Sequence, residues 1–115
     1  MTELCSVIET ELYLARASRL MTEAERERVV DLLAANPTAG VVVPGTGGLR
    51  KMRIPLQGRG KRGGGRVIYW FYSVNMPVVL LFAFAKNEAE DLSGDERRKL
   101  IALGNILFEQ FGGKR

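Results

Sequence analysis

Four cations are spaced so that they could do chemistry together: Lys51, Arg53, Arg66 and Lys86. In Leu49 to Leu56, Lys51, Arg53 and Pro55 alternate with Arg50, Met52 and Ile54. As a strand this segment projects Lys51 and Arg53 from one face. Arg66 opens the next strand-like run and Lys86 closes the one after it, so antiparallel neighbours can carry all four to one surface. Clustered cations disfavour one another's charge, and such clustering can draw a lysine pKa toward neutrality. A phosphodiester is the substrate such a surface suits. RNA brings its own nucleophile, the ribose 2′-hydroxyl. A base, a stabiliser for the pentavalent phosphate and a proton donor for the leaving 5′-oxygen then suffice. Lys51 and Lys86 are the candidate bases, with Arg53 and Arg66 stabilising the transition-state charge. No cofactor and no metal enter this scheme.

The surrounding charge pattern points the same way. From Gly48 to Arg66 there are seven positive residues (Arg50, Lys51, Arg53, Arg59, Lys61, Arg62, Arg66) and no acid. No Asp or Glu occurs between Asp31 and Glu88, and Lys86 brings that window to +8. The other 9 Lys and Arg against 13 Asp and Glu give −4, which recovers the net +4 of the whole chain. A modest net charge concentrated on one segment attracts polyanions through their phosphates. Arg50 and the loop cations Arg59, Lys61 and Arg62 are candidate RNA-binding residues that position rather than react. Tyr69, Trp70, Phe71 and Tyr72 could stack on bases. At strand spacing such aromatics are more often core, and at least two of the four are expected there; Tyr69 is the one assigned to RNA.

Composition narrows the alternatives. With 115 residues, 46% hydrophobic and 26% charged, the chain reads as one domain over 1–115 with a real core. The absence of histidine removes the usual general base, the usual zinc ligand and every Ser-His or Cys-His nucleophile system. One cysteine, Cys5, excludes an internal disulfide, and a reduced cytosolic home is expected, with no secretory leader in view. Val67 to Ala85 is uncharged over nineteen residues, the length of a membrane span. Asn75-Met76-Pro77 interrupts it, and β-branched and aromatic residues fill its first half, so it reads as two strands and a turn. Gly58-Arg59-Gly60-Lys61-Arg62-Gly63 has the G-x-G-x-x-G spacing, but a strand rather than a helix follows, which rejects a dinucleotide site.

The elements that must position the cations follow in order. Cys5 to Glu9 is a short strand, and Leu12 to Leu20 a first short helix. Thr22 and Glu25 form a capping box, opening a helix from about Glu23 to Ala35 with Val29, Leu32 and Leu33 buried. Asn36-Pro37 ends it. Val41 to Gly48 is a loop with a short extended piece, Leu49 to Leu56 a strand, and Gln57 to Gly65 a flexible basic loop. Arg66 to Val74 and Pro77 to Ala85 are apolar on both faces, hence central strands. The acids of Glu88-Ala89-Glu90-Asp91 suit a helix N-terminus. Ser93 and Glu96 form a second capping box, opening a helix through Leu100, Leu103, Leu107 and Phe111. The expectation is an α+β domain: two N-terminal helices, a small antiparallel sheet of three or four strands with the helices on one side, and a C-terminal helix.

Three motifs in this order resemble the RelE/ParE superfamily of bacterial toxins, and its HigB-like branch in particular. They are Gly45-Thr46-Gly47-Gly48-Leu49-Arg50-Lys51, Gly58-Arg59-Gly60-Lys61 through Arg66-Val67-Ile68-Tyr69, and Ala85-Lys86-Asn87-Glu88. The resemblance runs from about Val7 to Leu107. It implies a RelE-like fold and a toxin of a type II toxin–antitoxin module: a ribosome-dependent mRNA endonuclease in the cytoplasm. The implied partners are the ribosome, mRNA and a cognate antitoxin of helix-turn-helix, HigA-like type. By position, Lys51 and Arg53 match the family's basic pair, Arg66 the arginine opening the next strand, and Lys86 the basic residue ending the last. Asn87 stands where RelE has an arginine, and Ser93 where RelE has a tyrosine. The Lys86-Asn87 pair is shared with HigB-like relatives, which adds Asn87 to the RNA-binding candidates. A ParE-like DNA gyrase inhibitor without RNase activity is the alternative on the same fold.

Overall fold

The computed structural model describes residues 4–57, 63–89 and 91–112. Its elements are β1 (Val7–Glu9), α1 (Glu11–Leu20), α2 (Glu23–Ala35), β2 (Val41–Val42), β3 (Leu49–Ile54), β4 (Gly65–Trp70), β5 (Val78–Ala85) and α3 (Gly94–Gln110). The class is α+β, with two helices ahead of the main sheet strands and one after them, as expected.

Local chemistry fixes each helix start. Thr10 caps α1 by accepting the Tyr13 N–H at 3.1 Å, while its hydroxyl donates to the Leu80 carbonyl at 2.7 Å, so one side chain both starts the helix and docks it on β5. Both capping boxes form: Thr22 with Glu25 on α2, and Ser93 with Glu96 on α3. The buried Glu25 does more than cap, because its second oxygen accepts the Gln57 N–H at 2.9 Å. That bond ties the start of α2 to the chain leaving β3. Val29 and Leu33 face the core, four residues apart, whereas Leu32 is 46% exposed. Leu32 was expected inside; it lies off the line that Glu25, Val29 and Leu33 draw along the helix.

The sheet corrects two further expectations. It has five strands in the order β1-β5-β4-β3-β2, not three or four, and it is mixed, because β1 pairs in parallel with β5. The two-residue β2 accounts for the other addition, pairing Val41 with Lys51 and Val42 with Arg50. Helices cover both faces rather than one. On one face Tyr13, Ala17, Val29 and Leu33 pack on Met52, Ile54, Val67, Tyr69 and Leu80. On the other, Leu100 and Phe108 of α3 pack on Leu49, Ile68, Trp70, Phe82 and Phe84. The reason is visible in β4 and β5, every residue of which is buried. Strands apolar on both sides need cover on both sides.

Val67 to Ala85 indeed supplies β4, a turn and β5, and among the described residues no helix is long and apolar enough to cross a membrane. The β3–β4 hairpin returns through Gly64, whose φ is +67°. A Cβ there would lie 2.3 Å from the Ile54 carbonyl oxygen, so only glycine closes this turn.

A candidate phosphate-binding groove

Register decides which cations meet. Arg53 lies directly opposite Arg66 in the β3–β4 ladder, and Lys51 opposite Ile68. Side chains alternate across a sheet, so Lys51, Arg53 and Arg66 share the α3 face with Leu49, Ile68 and Trp70. A bulge between β4 and β5 skips Leu81 and sets Arg66 opposite Phe84. Lys86, two residues beyond Phe84, extends the ladder by donating its N–H to the Gly64 carbonyl at 3.0 Å. The four cations thus come from three adjacent strands, and Lys51, Arg53, Arg66 and Lys86 line one groove of about 590 Å³ together with Ala39, Val41 and Met52.

Their settings differ. Arg66 is buried, and its Nη1 donates to the carbonyls of Gly65 at 3.0 Å and Gly63 at 3.3 Å. Those bonds fix the guanidinium on the hairpin that carries it. Arg53 is exposed at the rim, and Lys51 and Lys86 are half-buried. Like charges placed directly opposite on a sheet destabilise it, so the Arg53–Arg66 pairing is a stability cost that an anion in the groove would offset.

The RNA-binding candidates are distributed differently. Arg50 points to the opposite face, where its Nη1 donates to the carbonyls of Gly40 at 2.7 Å and Thr38 at 3.5 Å. It braces the chain leading into β2 and stands apart from the groove. Tyr69 corrects the assignment to RNA. Its ring is fully buried, its hydroxyl donates to the Pro37 carbonyl at 2.7 Å and accepts the Gly40 N–H at 2.8 Å, and no face is left for a base. Burial raises the Tyr69 pKa, with the Gly40 hydrogen bond and Arg50 pulling the other way. Trp70 and Phe71 are also buried, and Tyr72 is the exposed member, edge-on to Phe108 at 4.5 Å. Asn87 is exposed in the turn after β5, next to Lys86. Arg59, Lys61 and Arg62 lie outside the described residues.

One neighbour of the groove is an acid that the sequence suits only to a helix N-terminus. Asp91 places Oδ1 3.3 Å from Lys51 Nζ. The same oxygen accepts the Leu92 N–H at 2.8 Å. That backbone bond is the main reason the Asp91 carboxyl is held below the usual range, burial opposing it and Lys51 and Arg97 assisting. The available signal was an acidic run starting two residues after Lys86, which suits the N-terminus of α3 equally well. Ser93, which the resemblance sets at the RelE tyrosine position, accepts the Glu96 N–H on its hydroxyl oxygen at 3.1 Å and serves as a helix cap.

Fold and groove together define a small α+β domain with a cationic recess on its sheet. Residues 40–112, more than half of the chain, match the family model described as RelE toxin of RelE / RelB toxin-antitoxin system, and the chain belongs to that family. The matched segment runs from β2 through α3 and contains all four groove cations. The RelE/ParE-type resemblance therefore holds, and membership implies a cognate antitoxin.

Proposed function

We propose that this chain is a ribosome-dependent mRNA endonuclease of the HigB-like branch, acting in the cytoplasm and restrained by a helix-turn-helix, HigA-like antitoxin. The observation that carries the reading is the register: Arg53 directly opposite Arg66, with Lys51 and Lys86 on the flanking strand positions of the same groove. Like charges set directly opposite one another cost the sheet stability, and an RNA phosphate would offset that cost.

In this reading a lysine of the groove, Lys51 or Lys86, takes the proton of the 2′-hydroxyl as its oxygen attacks phosphorus. Arg66, fixed by the Gly63 and Gly65 carbonyls, and Arg53 stabilise the charge gathering on the phosphoryl oxygens. The 5′-oxygen leaves with a proton from the other lysine of the pair, which is still an ammonium. Products carry a 2′,3′-cyclic phosphate and a 5′-hydroxyl, and every reacting atom comes from RNA or from these side chains. Arg59, Lys61 and Arg62 supply phosphate contacts that set the chain on ribosomal RNA.

The test is a translation extract programmed with a defined message and probed for new 5′ ends. Cleavage with 5′-hydroxyl ends supports the reading. Gyrase inhibition with an intact message would support the ParE-like alternative, which the use of Ser93 as a helix cap in place of a stacking tyrosine favours.

A further inference from the structure

Asp91 reaches Lys51 from the segment ahead of α3, its Oδ1 3.3 Å from Nζ. Its side chain is 62% exposed against 32% for the lysine, so the carboxylate stands on the solvent side of the ammonium. The Leu92 N–H, 2.8 Å from the same oxygen, holds it in place independently of Lys51. A carboxylate oxygen and a phosphate oxygen make the same charge-assisted bond to an ammonium at the same distance. A phosphate arriving at Lys51 therefore competes with Asp91 for one donor.

We propose that Asp91 is an internal counter-anion: it occupies Lys51 in the free chain and gives way when an RNA phosphate enters the groove. The proposal rests on the groove being an RNA site. It assigns part of the acidic run after Lys86 a task beyond the N-terminus of α3, namely tuning how tightly an acid-free basic segment holds nucleic acid. An exposed ion pair is weak, so the restraint amounts to a factor of up to about five in affinity. It also hides one charge from the salt dependence, because a lysine already neutralised by Asp91 has no counterion of its own to release.

The experiment measures binding of a single-stranded 2′-O-methyl oligoribonucleotide, which cannot be cut through its 2′-oxygen, across a series of salt concentrations. The proteins are the full chain, Asp91→Asn, Lys51→Ala and the double variant. Asparagine keeps an oxygen for the Leu92 N–H, so the fold is retained. The expected result is tighter binding by Asp91→Asn, up to about fivefold, with a log–log salt slope steeper by about 0.7. Both gains vanish in the Lys51→Ala background. Unchanged or weaker binding by Asp91→Asn would overturn the proposal, making Asp91 idle or a support for Lys51. An equal gain with and without Lys51 would also overturn it, reducing Asp91 to long-range charge. Binding by none of the four proteins would remove the RNA reading of the groove, and the counter-anion with it.

Discussion

Arg50 and Arg53 stand on the same strand, β3, and serve opposite ends. Arg50 faces α1 and α2, where its Nη1 is committed to the carbonyls of Gly40 and Thr38. Tyr69, its partner across the ladder, is committed in the same way to Pro37 and Gly40. On this face polar groups close gaps in the structure, and the 37–40 segment is held by them. Arg53 faces the other way, exposed and opposite a second arginine. There Arg66 is held by the Gly63 and Gly65 carbonyls, and we propose that the pair meets an RNA phosphate. One strand thus carries an arginine committed to the structure and one proposed to act on RNA, and what separates them is parity.

That contrast can be broken from either side. The largest effect is expected on the groove side. Arg66→Ala, Lys51→Ala and Lys86→Ala should each reduce message cleavage on the order of a hundredfold or more, while circular dichroism and antitoxin binding stay those of the parent. Arg66 is the sharpest of the three, because its guanidinium is already fixed by the hairpin carbonyls.

On the opposite face the effect should appear in stability. Tyr69→Phe leaves the Gly40 N–H and the Pro37 carbonyl without their partner. An unfolding midpoint in urea should fall by an amount equivalent to about 1–3 kcal/mol, with the cleavage rate of the folded fraction unchanged. A loss of cleavage in folded Tyr69→Phe would place this residue back among the RNA contacts.

A smaller effect concerns alkaline pH. Burial raises the pKa values of Tyr69 and Tyr13. A raised folded-state value means that their contribution is complete below the unfolded value, about 10, and is lost as pH rises toward the folded one. Unfolding midpoints should therefore decline above that pH, and the decline should be shallower in Tyr69→Phe. Parallel declines in the two proteins would mean that Tyr69 does not contribute to it.

Much of this arrangement was legible beforehand, because it is written in local chemistry. The capping boxes at Thr22 and Ser93 fixed two helix starts to the residue, and the doubly apolar runs marked β4 and β5 as central. The cations Lys51, Arg53, Arg66 and Lys86 could be grouped from alternation within one strand and from the ends of the next two. What stayed hidden depends on pairing. That Arg53 lies directly opposite Arg66, and Arg50 opposite the buried Tyr69, follows from the β3–β4 register, which no short window of sequence contains. Tyr69 alternates with Arg66 and Ile68 in the chain, and only the assembled sheet sends it to the core. Asp91 meets Lys51 across thirty-nine intervening positions, so an acid that looked suited to a helix start became a neighbour of the groove through tertiary structure. The second helical layer was implied by the two-faced strands, yet the expectation kept the helices together on one side.

The most direct test of the central claim maps 5′ ends of a defined message in a translation reaction containing either the parent chain or Arg66→Ala. The account predicts new 5′-hydroxyl ends with the parent and none, or on the order of a hundredfold fewer, with Arg66→Ala at equal folded concentration. Undiminished cleavage by Arg66→Ala, or growth arrest by the parent with the message left whole, would contradict it.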